Sequence, residues 1–278
     1  MRSIASAPRR LLSSRPLPKV GQGGFFELRT DQIFPGQMSA YLGLHNVTAS
    51  ERQKLLPGWL GTWKTEIGGS VHKVHHLYHW PDYDVRDAAR MVAEDHPMWV
   101  GNEAAFGGGG ADQDTVLPLP ALRERLSSST SVVMLEATAA LQSCGLPGAA
   151  GFEPPTVNSK GAEVKGSKPA AWELRQYQLV LGYPTVPKFL ELYTEGLKDK
   201  LAADDSGASQ LVSLLYSDNG PLNVVIELWR HESMQRAQDS RVASRSAEKW
   251  KSAIGEIAKI STDFRTEFIR PLRASPWQ

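Results

Sequence analysis

The chain is poor in cysteine, in net charge and in long apolar runs, and each shortage removes a class of function. A single cysteine, Cys144, among 278 residues excludes an intrachain disulfide and a cysteine-built structural zinc site. Its Gly/Pro-rich surroundings argue against a catalytic thiol. With 31 Lys+Arg against 30 Asp+Glu, no basic excess is available to hold a nucleic acid. No apolar run approaches the ~20 residues of a membrane-crossing helix, so no transmembrane segment is expected. The HExxH zinc pattern and the Walker phosphate loop are missing, as is a serine in a nucleophile elbow. The Gly107–Gly110 run lacks a following Gly-Lys-Ser/Thr and reads as a loop. The motifs therefore predict no catalytic residue, no metal ligand set and no cofactor.

Acid is also missing from one end. Residues 1–24 carry Arg2, Arg9, Arg10, Arg15 and Lys19 with Ser3, Ser6, Ser13 and Ser14, and the first carboxylate is Glu27. A basic, serine-rich, acid-free stretch without a continuous apolar core has the composition of an organellar transit peptide. Mitochondrial import is the first expectation, chloroplast import the runner-up and a plain disordered basic tail the bland alternative.

What the chain does have is histidine, concentrated in Ser70–Trp80, SVHKVHHLYHW. As a helix, His72, His75, His76 and His79 would form one stripe fit for a metal. The short length, the β-branched and aromatic content, Gly68-Gly69 before it and Pro81 after it favour a strand. On a strand His72 and His76 share a face but stand about 13 Å apart at the usual rise, too far for one ion to bridge. The expectation is a half-buried strand with partnered histidines.

The rest of the chain is laid out around that strand. Phe25–Thr30 alternates as a strand. A helical pattern runs from Met38 to about Leu56, with Thr48, Ser50 and Glu51 marking a break or a second helix start. Trp59–Ile67 is a second strand. After Pro81, Asp82 or Asp84 caps a helix that carries Arg86 and Arg90 and continues toward Trp99. Ser131–Thr138 is a further strand, and residues 139–169, dense in glycine and proline, read as a linker. The plan then restarts. Trp172-Glu173-Leu174-Arg175 repeats Phe26-Glu27-Leu28-Arg29, Pro184 precedes a helix, Gln210–Tyr216 is a strand and Leu222–His231 matches the histidine strand. At one constant offset of 151, Val74 pairs with Val225, Leu77 with Leu228, Tyr78 with Trp229, Arg90 with Arg241 and Trp99 with Trp250. This is an internal duplication. Each copy reads strand–helix–strand–strand–helix, with the closing strand clearest in the first. That is the ferredoxin-like βαββαβ plan, an α+β fold, and two such sheets can cover each other's bare faces as a closed barrel. The expected organisation is a tail at 1–24, one repeat at 25–138, the linker at 139–169 and a second repeat at 170–278.

At these residues the chain resembles the NIPSNAP family: Phe26–Thr30 (FELRT) with Pro35-Gly36, Gly68, Val74–Trp80 (VHHLYHW), Arg86 and Arg90, then Trp172–Tyr177 (WELRQY), Leu222–Trp229 (LNVVIELW) and Pro271–Pro276 (PLRASP). It departs from the family in carrying Tyr78 for a usual tryptophan, Phe26 as the first opening aromatic, and Ile226-Glu227 where the first copy has His75-His76. The resemblance implies a dimeric α/β-barrel fold and mitochondrial residence, in the matrix or at the inner membrane, and no established reaction. It implies work through partner binding, as a subunit of a larger mitochondrial assembly, a homo-oligomer or a quality-control adaptor. The alternative is a haem- or small-molecule-binding oxygenase-like enzyme with one of the histidines as ligand or base.

Candidate pocket or interface residues are His75, His76, Trp80, Arg29, Arg86, Arg175 and Glu227. The Glu27/Arg29 and Glu173/Arg175 pairs read as surface cross-strand charges, and Arg86 with Arg90 as a solvated helix face. Glu227 and His76 sit on strand faces rich in apolar neighbours, so each needs a buried partner. The barrel interior is the expected place, with Arg29 or Arg175 facing Glu227.

Overall fold

The structure, a computed structural model, describes residues 23–95, 120–153, 170–204 and 206–278. The alternating segment that opens the first repeat is strand β1 (Phe25–Ile33), followed by helix α1 (Met38–Leu55), β2 (Trp59–Ile67), β3 (Lys73–Trp80), α2 (Tyr83–Asp95), a single turn α3 (Pro120–Arg123) and β4 (Leu126–Glu136). A short helix α4 (Thr138–Ser143) leads out of it. The second repeat runs β5 (Ala171–Leu179), α5 (Thr185–Ala203), β6 (Ser209–Asn219), β7 (Val224–His231), α6 (Met234–Ser244), α7 (Glu248–Lys259) and β8 (Ser261–Pro271).

The strands close into one antiparallel barrel in the order β1-β3-β2-β8-β5-β7-β6-β4. Each repeat supplies four consecutive strands of it, in the ferredoxin-like arrangement. The two sheets join through β2 on β8, with Thr65 opposite Ile269, and through β4 on β6, with Leu135 opposite Tyr216. Closure pairs every edge that either sheet would otherwise expose. Gly68 marks one seam. Its φ is +91°, and a Cβ there would lie 2.1 Å from the Thr266 carbonyl oxygen, so only glycine fits.

Strand alternation divides the apolar residues into an inner and an outer set. Phe26, Leu77, Trp172, Leu174, Ile226, Leu228 and Ile269 meet inside the barrel with Trp63 and Trp277. The outer faces lie under helices. In the first repeat Ile33 and Val74 pack with Tyr41 and Leu44 of α1. In the second, Tyr177, Val225 and Trp229 pack with Phe189, Tyr193, Trp250 and Ile257 of α5 and α7.

Several expectations need correcting. The histidine strand is buried on both faces, because helices cover the side that a single sheet would leave wet. Helix α1 is unbroken: Thr48 returns its hydroxyl proton to the Leu44 carbonyl at 2.8 Å, and it interrupts nothing. β4 begins earlier than Ser131, its first half being polar and exposed. The fourth strand of the second repeat is as long as that of the first. The segment read as linker is built in its first part. It contains α4, a turn at Ala149–Gly151 and the buried Phe152, whose ring meets those of Trp172 and Trp277 at 5.5 and 4.9 Å. Residues 154–169, the tail before Gly23, the Gly107–Gly110 run and Trp99 lie outside the described residues. Among the described residues no helix is long and apolar enough to cross a membrane.

Candidate functional site

Since Phe26 and Leu28 point into the barrel, alternation sends Glu27, Arg29 and Asp31 outward, beneath the helices. Glu27 is buried, and its carboxylate takes hydrogen bonds from Trp80 Nε1 at 3.1 Å, Arg86 Nε at 3.0 Å, Arg86 Nη2 at 3.0 Å, Arg90 Nη2 at 3.3 Å and Ser131 Oγ at 2.7 Å. Burial pushes this carboxyl up, and the two arginines and the serine outweigh it, holding it at about 2. Arg86 and Arg90 are thus not a solvated face; α2 aims both at one buried carboxylate.

The second repeat rebuilds this site with other residues. Glu173 is fully buried and accepts from Arg175 Nε at 2.8 Å, Thr266 Oγ1 at 2.7 Å and Arg241 Nη2, with His231 Nε2 at 3.3 Å. Position by position, His231 replaces Trp80, Thr266 replaces Ser131 and Arg241 replaces Arg90. The Glu173 carboxyl, pushed up by burial, is drawn well below the usual carboxylate range by His231, Arg175 and Arg241. Neither glutamate is among the residues expected to form a pocket or interface. The signal was present in the FELR and WELR openings, but their partners arrive from strands and helices far along the chain.

The next outward positions differ. In the first repeat they hold Asp31 and His76; in the second, Tyr177 and Glu227. Arg29 Nε turns to Asp31 at 2.9 Å and leaves Glu27 to the helix arginines. Arg175 has a tyrosine at the corresponding place and turns back to Glu173. His76 sits in a closed chain. Trp59 Nε1 donates to Thr62 Oγ1 at 2.9 Å, which lies 3.0 Å from His76 Nδ1; His76 Nε2 lies 2.9 Å from Tyr41 Oη, which donates to Asp31 Oδ2 at 2.9 Å. The donors assign His76 as the neutral Nε2–H tautomer. Burial lowers its pKa to about 4 against the pull of Asp31. Both ring nitrogens are occupied, so this histidine has no lone pair for an iron. His45 packs against its ring and that of Trp59, at 5.7 and 5.6 Å, with both nitrogens lacking a hydrogen bond among the described residues.

The expected place of His76 and Glu227 was the barrel interior. Both face the helix layer instead, because the interior takes the other register: His75, Leu77 and His79 in β3, Ile226 and Leu228 in β7. Inside the barrel, His75 lies between Thr30 Oγ1 at 3.0 Å and Glu267 Oε2 at 3.3 Å, and Lys73 donates to Glu267 Oε1 at 2.8 Å. His79 Nε2 lies 2.8 Å from the Gly23 carbonyl. The seven expected residues thus divide: Arg29 and His76 in one cluster, Trp80 and Arg86 around Glu27, Arg175 and Glu227 in the second repeat, and His75 alone inside the barrel.

Glu227 accepts from Tyr177 Oη at 2.6 Å and from Trp229 Nε1, and its nearest contact to Arg175 is 3.9 Å. That is ion-pair proximity without a hydrogen bond. Arg29 belongs to the other repeat and plays no part. Behind them is a group the sequence reading missed. Lys200 of α5 is buried, its Nζ 3.9 Å from the Trp229 ring centroid and 4.6 Å from that of Trp250, without a hydrogen bond among the described residues. Burial lowers its pKa to about 7. Next to this cluster a cavity of about 410 Å³ separates α7 from the sheet. Arg175, Tyr177 and Phe264 form its sheet wall, Trp250, Ile254, Ile257 and Ala258 its helix wall.

Comparison with solved structures gives the same fold. A candidate monooxygenase of Fusobacterium nucleatum superposes with a TM-score of 0.54 over 91% of this chain and 94% of its own, at 10% identity. An anthrone oxidase-like protein does so at 0.50 over 92% and 94%, at 12% identity. At such identities the likeness is one of fold. Among curated sequences, human Protein NipSnap homolog 3A is 25% identical over 248 residues, 88% of this chain and 81% of the relative. The NIPSNAP family model matches residues 26–111 and again 172–276, the two repeats in turn, and the chain belongs to the NIPSNAP family.

Proposed function

We propose that the protein works by binding a partner protein, as a mitochondrial adaptor or a subunit of a larger assembly, and that the second repeat presents the contact. The supporting observation is an ordered apolar tip at the end of β5. Leu181 is 80% exposed and Tyr183 fully so, and Val180, Leu222 and Phe264 are exposed beside them. Three separate stretches are tied together here. Asn223 Nδ2 donates to the carbonyls of Val180 at 2.7 Å and Gly182 at 3.3 Å, Val180 N donates to the Ile260 carbonyl at 2.9 Å, and the Tyr177 and Phe264 rings stand 4.6 Å apart. Apolar side chains displayed to water from a hydrogen-bonded backbone mark a contact surface. Residence in mitochondria rests on the acid-free composition of residues 1–24.

Two measurements test this. Residues 1–24 fused to a fluorescent reporter are expected to direct it to mitochondria; cytosolic signal contradicts the localisation, and plastid signal transfers it. The Leu181→Asp, Tyr183→Asp double variant should keep its unfolding free energy within about 0.5 kcal/mol, as exposed substitutions do, and lose the partners that co-purify with the native chain. Retention of the same partners contradicts the reading. A haem held by His76 or in this cavity does not fit the residues. Neither histidine nor cysteine lines the cavity, and the His76 lone pair is taken.

A further inference from the structure

The cavity beside Arg175 has the make-up of a ligand site. Its volume of about 410 Å³ falls in the range that small-molecule pockets occupy. Trp250, Ile254, Ile257 and Ala258 of α7 form one apolar wall, and the Tyr177 and Phe264 rings the opposite one, so the space is a slot between a helix and a sheet. Ser261, Thr262 and Asp263 stand at the rim, and Asp263 is already paired with Arg265 at 2.6 Å.

A single cationic side chain lines this slot. Arg175 spends Nε and Nη2 on Glu173, at 2.8 and 3.2 Å. Its Nη1 makes no hydrogen bond among the described residues, the nearest carboxylate oxygen being Glu227 Oε2 at 3.9 Å. A guanidinium whose third nitrogen is open can take one more acceptor oxygen at a favourable angle. The charges behind it leave room for an anion. Glu173 and Glu227 are matched by Arg175 and Arg241, and Lys200 adds a buried amine with no carboxylate in hydrogen-bond reach.

We propose that this slot binds a compact, flat, apolar molecule bearing one carboxylate, with the acid on Arg175 Nη1 and the apolar body between α7 and the Tyr177 and Phe264 rings. The site lies under the exposed tip but needs no partner protein. It stands or falls separately from the adaptor reading.

The test uses the full chain and 2-naphthoate as probe, followed by calorimetry and tryptophan fluorescence, since Trp250 lines the slot. Saturable one-to-one binding is expected. The neutral 2-naphthamide, of the same shape, should bind at least about tenfold more weakly, because it cannot form the charge-assisted bond. Ala258→Trp fills the slot from the exposed side of α7 without touching the charged cluster and should remove binding while leaving the fold intact. Arg175→Gln should bring naphthoate down to the affinity of the amide. If that variant does not fold, the acid-against-amide comparison on the native chain carries the same information. Absence of saturable naphthoate binding, equal affinity for acid and amide, or unchanged binding by Ala258→Trp would each overturn the proposal.

Discussion

The two repeats descend from one plan, and the informative places are those where they disagree. Both keep a buried glutamate on the first strand, met by a ring nitrogen from the third strand, a hydroxyl from the fourth and an arginine from a helix. One turn of alternation further on they part. The first repeat holds Asp31 and His76, a set closed through Tyr41 and Thr62. The second has Tyr177 and Glu227, so the carboxylate has crossed from one strand to its neighbour and the arginine turns back to the shared glutamate with two of its nitrogens. The tips diverge as well. Where the second repeat shows Val180-Leu181-Gly182-Tyr183, the first has Phe34-Pro35-Gly36-Gln37, and Gln37 is bonded to Arg125. The shared glutamate anchors both halves, and the residues around it are what the two repeats have changed.

The largest expected effect separates the anchors. Glu173→Ala strands Arg175, whose side chain is 13% exposed, and should cost about 3–5 kcal/mol, the usual loss when a buried pair is broken. Glu27→Ala should cost less, about 1–3 kcal/mol, because Arg86 is 27% exposed and already has Asp87 at 2.9 Å. Urea midpoints of the two variants decide this, and equal losses would show the anchors to be equivalent.

A smaller effect comes from transplanting one arrangement into the other. Tyr177→Asp places a third carboxylate beside Glu173 and Glu227, and Glu227→His removes the ion-pair neighbour of Arg175. Each should destabilise. The double variant restores the first repeat's pattern and should recover about 1–3 kcal/mol relative to the sum of the singles. Simple additivity would mean that the swap of residue types is incidental.

The smallest effects lie in pH dependence and differ between the repeats. His76 takes up its proton near 6.5 when unfolded and near 4 when folded. The unfolded chain therefore binds more protons between those values, and stability is lost as the pH falls through that window. His45, lowered in the same direction by burial, adds to the loss. For Lys200 the window runs from 10.5 down to about 7, with stability lost as the pH falls through it and no further loss below. Lys200→Met should therefore gain about 1–3 kcal/mol at pH 7, a gain that closes toward pH 10. His45→Leu should gain about 1 kcal/mol at pH 7 and more at pH 5. Parallel pH profiles for variant and native chains would contradict both.

The duplication was legible because a constant offset survives in side chains that strands and helices must repeat. The direction each face points was not. Both faces of β3 and β7 are buried, so alternation sorts residues into two sets without saying which set lies inside the barrel. The anchors escaped for a different reason. Glu27 stands beside Arg29 in the sequence, an ordinary surface pair, and its true partners lie on β3, α2 and β4. Lys200 sits in a charged stretch, KDK, that reads as a wet helix face; Trp229 and Trp250, from other elements, bury it. The tip at Val180–Tyr183 gave no signal, since exposure of apolar residues cannot be read from their identity.

The proposal that recognition belongs to the second repeat is tested most directly by a photo-activated benzoylphenylalanine placed at position 183 or, as the control, at the exposed position 35 of the first repeat's tip. After import and irradiation, discrete cross-linked products are expected from position 183 and none from position 35. Products of equal yield from both positions, or from position 35 alone, would contradict it.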